Sequence, residues 1–209
     1  EQFDRDLWAK SAVVLLRDTD QIVRGFSTQQ WFDWTFDGEP LRILFSGDTV
    51  IDPRFWGSAE LVKGWCAVAV SAMRMQPERR LFWFLISKGY RTYLYLPLFF
   101  REFIPRCDAA PTSHLKRLLD EVAHYKFGEA YDPVTGLIRF PSPKGQLVPS
   151  LAVISPTRLD DPHVRFFHER NPDYASGVEL ACLAEVALEN IHGLGSRWFG
   201  KATLAGTNP

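Results

Sequence analysis

The sequence predicts an α/β fold of the α+β kind, built on a mixed, mostly antiparallel sheet with helices and a C-terminal extension. Three observations predict it. Residues 11–36 hold two segments rich in β-branched and aromatic side chains, as strands should. Asp37-Gly38-Glu39-Pro40 then marks a hairpin turn before a third such segment. Leu81-Phe82-Trp83-Phe84-Leu85-Ile86 is a continuous apolar run, which suits a strand buried on both faces.

Taken in order, residues 11–17 form a short strand, and Asp18-Thr19-Asp20 supplies turn chemistry. Residues 22–36 and 41–51 complete a three-stranded antiparallel meander. Leu61, Val62, Trp65, Val68, Ala69, Ala72 and Met73 recur near helical spacing, so a helix with one apolar face runs over 58–75. Gln76-Pro77-Glu78-Arg79 ends it. After the buried strand, Ser87-Lys88-Gly89 leads to a helix over 90–103, which Pro97 should kink or divide. Pro105 and Pro111 bracket a loop, and Thr112 or Ser113 caps a helix reaching Phe127. From Gly128 the chain is turn-rich, with strands expected over 147–154 and 164–168. A last helix is expected over 178–191, with Asp173 or Ser176 near its N-cap.

A length of 209 residues with 46% apolar side chains fits one domain over 1–209 with a sizeable core. Residues 11–106 would be that core and 107–209 its extension. The chain begins Glu-Gln-Phe without an initiator Met and soon enters a strand, so it is expected to be N-terminally truncated. A net charge of −1 argues against a nucleic-acid partner held by bulk electrostatics. No apolar run reaches the length of a membrane span, and the N-terminus lacks a basic-then-apolar signal pattern. Cys66, Cys107 and Cys182 are odd in number and far apart, which disfavours a disulfide framework and makes a cytoplasmic location the default.

The stretch most suited to chemistry is Arg54-Phe55-Trp56-Gly57-Ser58-Ala59, where the third strand hands over to the first long helix. Gly57 lets backbone come close to a ligand, the free N–H groups of a new helix favour anions, and Arg54 adds a charge. A plain connection needing a Gly turn explains the same residues. Asp48, in Phe45-Ser46-Gly47-Asp48-Thr49, is a candidate base for deprotonating an amine. Its alternative is a turn or bulge made by Gly47, with Asp48 serving the backbone. His163 and His168 lie five apart, a poor match to one face of a strand or helix, which weakens a metal site.

The order meander, Arg-x-x-Gly-x-Ala loop, helix, buried strand, Tyr-rich helix over 11–106 resembles the core of the GCN5-related N-acetyltransferase (GNAT) superfamily. The resemblance implies helices on both faces of the sheet. It gives Arg54, Gly57 and Ala59 the pyrophosphate of coenzyme A, with Phe55, Trp56 and Ser58 as neighbouring backbone donors. Val50, Ile51 and Asp52 would pair with the pantetheine arm and polarise the thioester oxygen, and strand 81–87 would splay away to leave a wedge. A Tyr on the next helix would reprotonate the leaving thiolate. Tyr90, Tyr93 and Tyr95 are available and Tyr93 is preferred to Tyr95, although the family's usual distance falls on Leu94 or Phe99. Ser87 stands where the family commonly has Asn. With Asp48 as read above, the candidate catalytic set is Tyr93, Asp48 and Ser87. The implied cofactor is acetyl-CoA or a longer acyl-CoA, with an acyl-carrier protein as the other donor and a small-molecule amine as acceptor. A catalytically inactive GNAT-like binding or scaffold module is the alternative, and a hydrolase using Cys182 or a His is a third reading.

Overall fold

The computed structural model describes residues 7–141, 147 and 152–205. The strands are β1 (Ala12–Arg17), β2 (Val23–Phe36), β3 (Glu39–Ile51), β4 (Arg80–Ser87), β5 (Tyr131–Asp132), β6 (Leu137–Ile138) and β7 (Glu179–Glu185). The helices are α1 (Glu60–Met75), α2 (Tyr90–Tyr93), α3 (Tyr95–Phe99), α4 (Ser113–Phe127), α5 (Pro156–Leu159), α6 (Pro162–Arg170) and α7 (Gly193–Ala205). The sheet is mixed, with strand order β1-β2-β3-β4-β7-β6-β5, and the fold is α/β as predicted. The chain divides into two compact units, one of residues through Trp83 and from Glu185 onward, the other Phe84–Ala184.

In the first unit, β1, β2 and β3 form the expected meander. β1 pairs antiparallel with β2 from Ala12↔Gln29 to Leu16↔Gly25, and β2 with β3 from Gly25↔Ile51 to Phe36↔Glu39. Asp37 (φ 50°) and Gly38 (φ 83°) turn the second hairpin, both with the positive φ that tight two-residue hairpins demand. Between Ser27↔Thr49 and Gln29↔Ser46 the third strand carries one residue more than the second. Gly47 and Asp48 therefore form a β-bulge opposite Thr28, as the Gly47 alternative anticipated. A Cβ on Gly47 would come within 2.6 Å of Thr28 Oγ1, so only glycine fits there without a shift.

Leu61, Trp65, Cys66, Ala69, Val70 and Ala72 form the buried stripe of α1. Trp65 packs on Trp83 at 4.3 Å between ring centroids and meets Phe199 of α7 at 5.7 Å. Burying a large apolar side chain stabilises by about 1.5–3 kcal/mol, so this aromatic cluster anchors helix to sheet. A polar row runs through the same region. The Trp83 indole donates to Ser46 Oγ, which donates to Gln29 Oε1. Gln29 Nε2 in turn donates to Ser27 Oγ, which shares a hydrogen bond with Thr49 Oγ1; each of these four contacts is 2.8 Å. A slip in register would strand these buried groups without partners, so the row fixes the alignment of β2 and β3 around the bulge.

The second unit departs from expectation in four places. The last helix expected over 178–191 is instead strand β7, buried along nearly its whole length and paired with β6 through Leu137↔Leu180 and Ile138↔Glu179. Tyr174–Ser176 is a short 3-10 turn leading into that strand, so neither Asp173 nor Ser176 caps a long helix. Residues 164–168 are not a strand but the middle of α6. Pro162 opens this helix, and the Asp161 carboxylate accepts the N–H groups of His163 and Val164, so start signals outweigh local β preference. The helix expected over 90–103 is divided, as anticipated, but at Leu94 with Pro97 inside the second piece, and it ends early, the chain being extended by Phe100. Of the strand expected over 147–154, residues 148–151 lie outside the described residues, and 147 and 152–154 are not in a strand. Thr112 is the N-cap of α4, its hydroxyl accepting the Leu115 N–H at 3.3 Å.

Candidate functional site

The loop from β3 to α1 is shaped by Asp52. Its N–H donates to the Arg24 carbonyl at 2.7 Å, extending the ladder with β2 by one residue. Its carboxylate accepts the Arg54 N–H at 3.0 Å and so caps the 3-10 turn Pro53–Phe55. The same carboxylate holds the Arg54 guanidinium, with Nη2 at 2.6 Å. Hydrogen bonds from Arg54 keep the Asp52 carboxyl well below the usual range, down to about 2. The Arg54 side chain is nonetheless 68% exposed. Arg24, paired with Asp18 at 2.7 Å, stacks over the Phe55 ring at 5.8 Å. The Trp56 indole donates to the Ile51 carbonyl at 3.0 Å and folds the loop back on its strand.

Gly57 has φ of 87°, and a Cβ built on it would meet nothing within 4 Å. Positive φ strains any L side chain, while the empty space leaves the backbone open to a ligand. Ser58 N–H donates to the Phe55 carbonyl, and Glu60 N–H to Ser58 Oγ. Among the described residues, no hydrogen bond takes the N–H of Gly57, Ala59, Leu61 or Val62. Four donors thus stand uncommitted at the positive end of a sixteen-residue helix.

The other expected site residues lie as follows. Asp48 is exposed on the bulge, and its carboxylate makes no hydrogen bond or ion pair among the described residues. Val50 is exposed and Ile51 half-buried, paired with Phe26 and Gly25 of β2. Ser87 is buried, and its hydroxyl donates to the Gly89 carbonyl at 2.9 Å, just ahead of α2. Tyr93, the last residue of α2, is 0% exposed, and its hydroxyl donates to the Pro105 carbonyl at 3.0 Å. Its ring packs among Phe103, Phe166 and Phe167, and burial pushes the phenol well above its ordinary value. Tyr95 stacks on Phe99. Cys182 is buried, which pushes its thiol up strongly. A pairing that sequence reasoning missed is Cys107 with His163, 3.3 Å apart and 56 positions distant in sequence. No motif links such residues; only the fold brings them together.

Among solved structures, the chain is similar to a mutant of the toxin AtaT bound to the C-terminus of the antitoxin AtaR and acetyl-CoA. That match has 16% identity and a TM-score of 0.32, covering 40% of this chain and 53% of the other. It is also similar to a conserved protein of unknown function from Enterococcus faecalis, a probable N-acyltransferase. Here identity is 14% and the TM-score 0.30, covering 37% of this chain and 19% of the other. The chain therefore matches about half the length of the first structure and about a fifth of the second. No protein-family model and no curated protein matches it. Among the described residues, no helix is long and apolar enough to cross a membrane.

Proposed function

We propose that this chain is an acyltransferase that moves an acyl group from coenzyme A to an amine by direct attack on the thioester. The observation that carries this reading is the β3–α1 loop. Gly57 bares the backbone, and the N–H groups of Gly57, Ala59, Leu61 and Val62 are free at the positive end of α1. Such a place suits a pyrophosphate. Arg54, exposed beside it, can exchange Asp52 for a phosphate, a fork geometry it matches equally well. Phe55, Trp56 and Ser58 fix the shape of the loop through their contacts with Arg24, Ile51 and Glu60.

Val50 and Ile51 would run beside the pantetheine arm, and N–H groups of this strand would polarise the thioester oxygen. The Asp52 N–H is already committed to Arg24, so its part is to hold the loop. Asp48 is exposed and uncommitted, which suits a base that takes the amine's proton directly or through water. Tyr93 and Ser87 donate their hydroxyl hydrogen bonds to the Pro105 and Gly89 carbonyls, which favours packing and capping roles for them. A thiol of pKa ~8.5 can leave as the thiolate without a dedicated acid. The donor is acetyl-CoA or a longer acyl-CoA, with an acyl-carrier protein presenting the same arm as the other candidate. The acceptor class is a small-molecule amine, and the reaction suits a cytoplasmic setting where CoA thioesters are made.

Calorimetry with CoA and with pantetheine tests the reading. CoA should bind at least about tenfold more tightly, a difference of ~1.4 kcal/mol supplied by the phosphates. Equal affinities would remove the loop from the site. The commitment of the Tyr93 and Ser87 hydroxyls also favours a second reading, a GNAT-like module that binds CoA without turnover. A raised melting temperature with acyl-CoA, but no amide product across a panel of amines, would select it.

A further inference from the structure

The second unit carries a thiol–imidazole pair that amine acylation does not use. Cys107 Sγ lies 3.3 Å from His163 Nδ1, and both residues are partly exposed. Two local structures hold the pair. On one side, Ile104 exchanges backbone hydrogen bonds with Leu183, and the Arg106 guanidinium grips Asp108, so the segment carrying Cys107 is fixed at both flanks. On the other, Asp161 caps α6 and orients His163 at its second position. Residues on either side of Cys107, among them Pro105, Arg106 and Ala109, help line a cleft of about 210 Å³ with Lys116, Leu119 and Phe166.

Burial and the neighbouring Asp108 push the Cys107 thiol up, so at rest Cys107 is a thiol. Activation then has to come from proton transfer during attack, which the ring nitrogen at this distance provides in the tautomer that leaves Nδ1 unprotonated. Cys66 and Cys182 are fully buried, and burial raises both thiols, the first to about 12.

We propose that Cys107, with His163 as its base, accepts an acyl group from a small acyl thioester and becomes S-acylated. His163 Nδ1 takes the thiol proton as Sγ bonds to the carbonyl carbon. The carbon–sulfur bond to the leaving thiol then breaks, and the imidazolium returns the proton to that thiolate. One thioester is exchanged for another, so no oxidant, metal or further reactant is needed. The choice of a thioester as electrophile rests on the acyl-transfer reading above; the pair and the cleft stand independently of it.

The test uses acetyl and hexanoyl thioesters of N-acetylcysteamine, which lack pyrophosphate and so bypass the β3–α1 loop. Intact-mass and peptide analysis of the parent protein should find one acyl group, on Cys107, released by neutral hydroxylamine. Cys107→Ser should abolish the adduct. His163→Gln and His163→Asn should each slow its formation by ~10²–10⁴-fold, with melting curves close to the parent's. An adduct on Cys66 or Cys182, no adduct at all, or parental rates in both His163 variants would overturn the proposal. Failure of the amine-transfer reading shows separately. In that case CoA does not bind, while the N-acetylcysteamine thioesters still label Cys107.

Discussion

The β3–α1 loop and the segment from Ser87 to Phe99 carry the residues that the sequence singled out for acyl transfer, and they differ in how their polar groups are used. In the loop, four main-chain donors are uncommitted, Arg54 is mostly exposed, and Gly57 opens the backbone to whatever approaches. In the segment, the hydroxyls of Ser87 and Tyr93 are buried and given to backbone carbonyls, and Tyr93, Leu96 and Phe99 are fully buried. A buried donor already satisfied gains little by turning to a ligand and costs about 1–3 kcal/mol to unpair. Residue type and position nominate a site, while the remaining hydrogen-bonding capacity decides which nominees can act.

Three substitutions probe this contrast. The largest effect is expected at Asp48, the uncommitted carboxylate on the bulge. Asp48→Asn keeps its size and should lower turnover by ~10²–10⁴-fold with CoA affinity unchanged, as steady-state rates and calorimetry would show. Tyr93→Phe should do the opposite. It leaves the Pro105 carbonyl without its donor, so denaturant unfolding should report a loss of about 1–3 kcal/mol while turnover per folded molecule holds. A large fall in turnover at parental stability would make Tyr93 an acid and erase the contrast. The smallest effect belongs to the exposed Asp52–Arg54 pair. The Asp52 carboxyl is lowered from 3.8 to about 2 in the folded chain, so the unfolded state binds protons first as pH falls. Its contribution is complete above pH 3.8 and is lost on acidification towards 2. Proton titration followed by NMR should give a midpoint near 2, and Arg54→Gln should move it back towards 3.8. Overall stability should change little, because such pairs are screened by solvent.

The first unit was legible because its signals are local and agree. Asp37-Gly38 turns where its φ angles require, the stripe from Leu61 to Ala72 matches a helix, and the apolar run of β4 is buried. The bulge was legible at Gly47 for the same reason. The second unit was less so, because its context overrides preference. Glu179–Glu185 is rich in helix-forming Leu, Ala and Glu, yet burial among other strands makes it β7. Val164 to His168 favours a strand, yet the Asp161-Pro162 start makes it a helix. At the site, the loop could be read from Arg54 and Gly57. The commitment of Tyr93 to Pro105, twelve residues on, and the meeting of Cys107 with His163 depend on tertiary packing alone.

If the β3–α1 loop receives the pyrophosphate of coenzyme A, Gly57→Val should disturb that binding and little else. A β-branched residue at φ of 87° costs about 1–3 kcal/mol of local strain and fills space that is otherwise open. Circular dichroism should show the fold retained. Calorimetry should then show CoA binding weakened by at least about tenfold, or lost, relative to the parent, with pantetheine binding unaffected. A folded Gly57→Val variant that binds CoA as tightly as the parent would contradict the account.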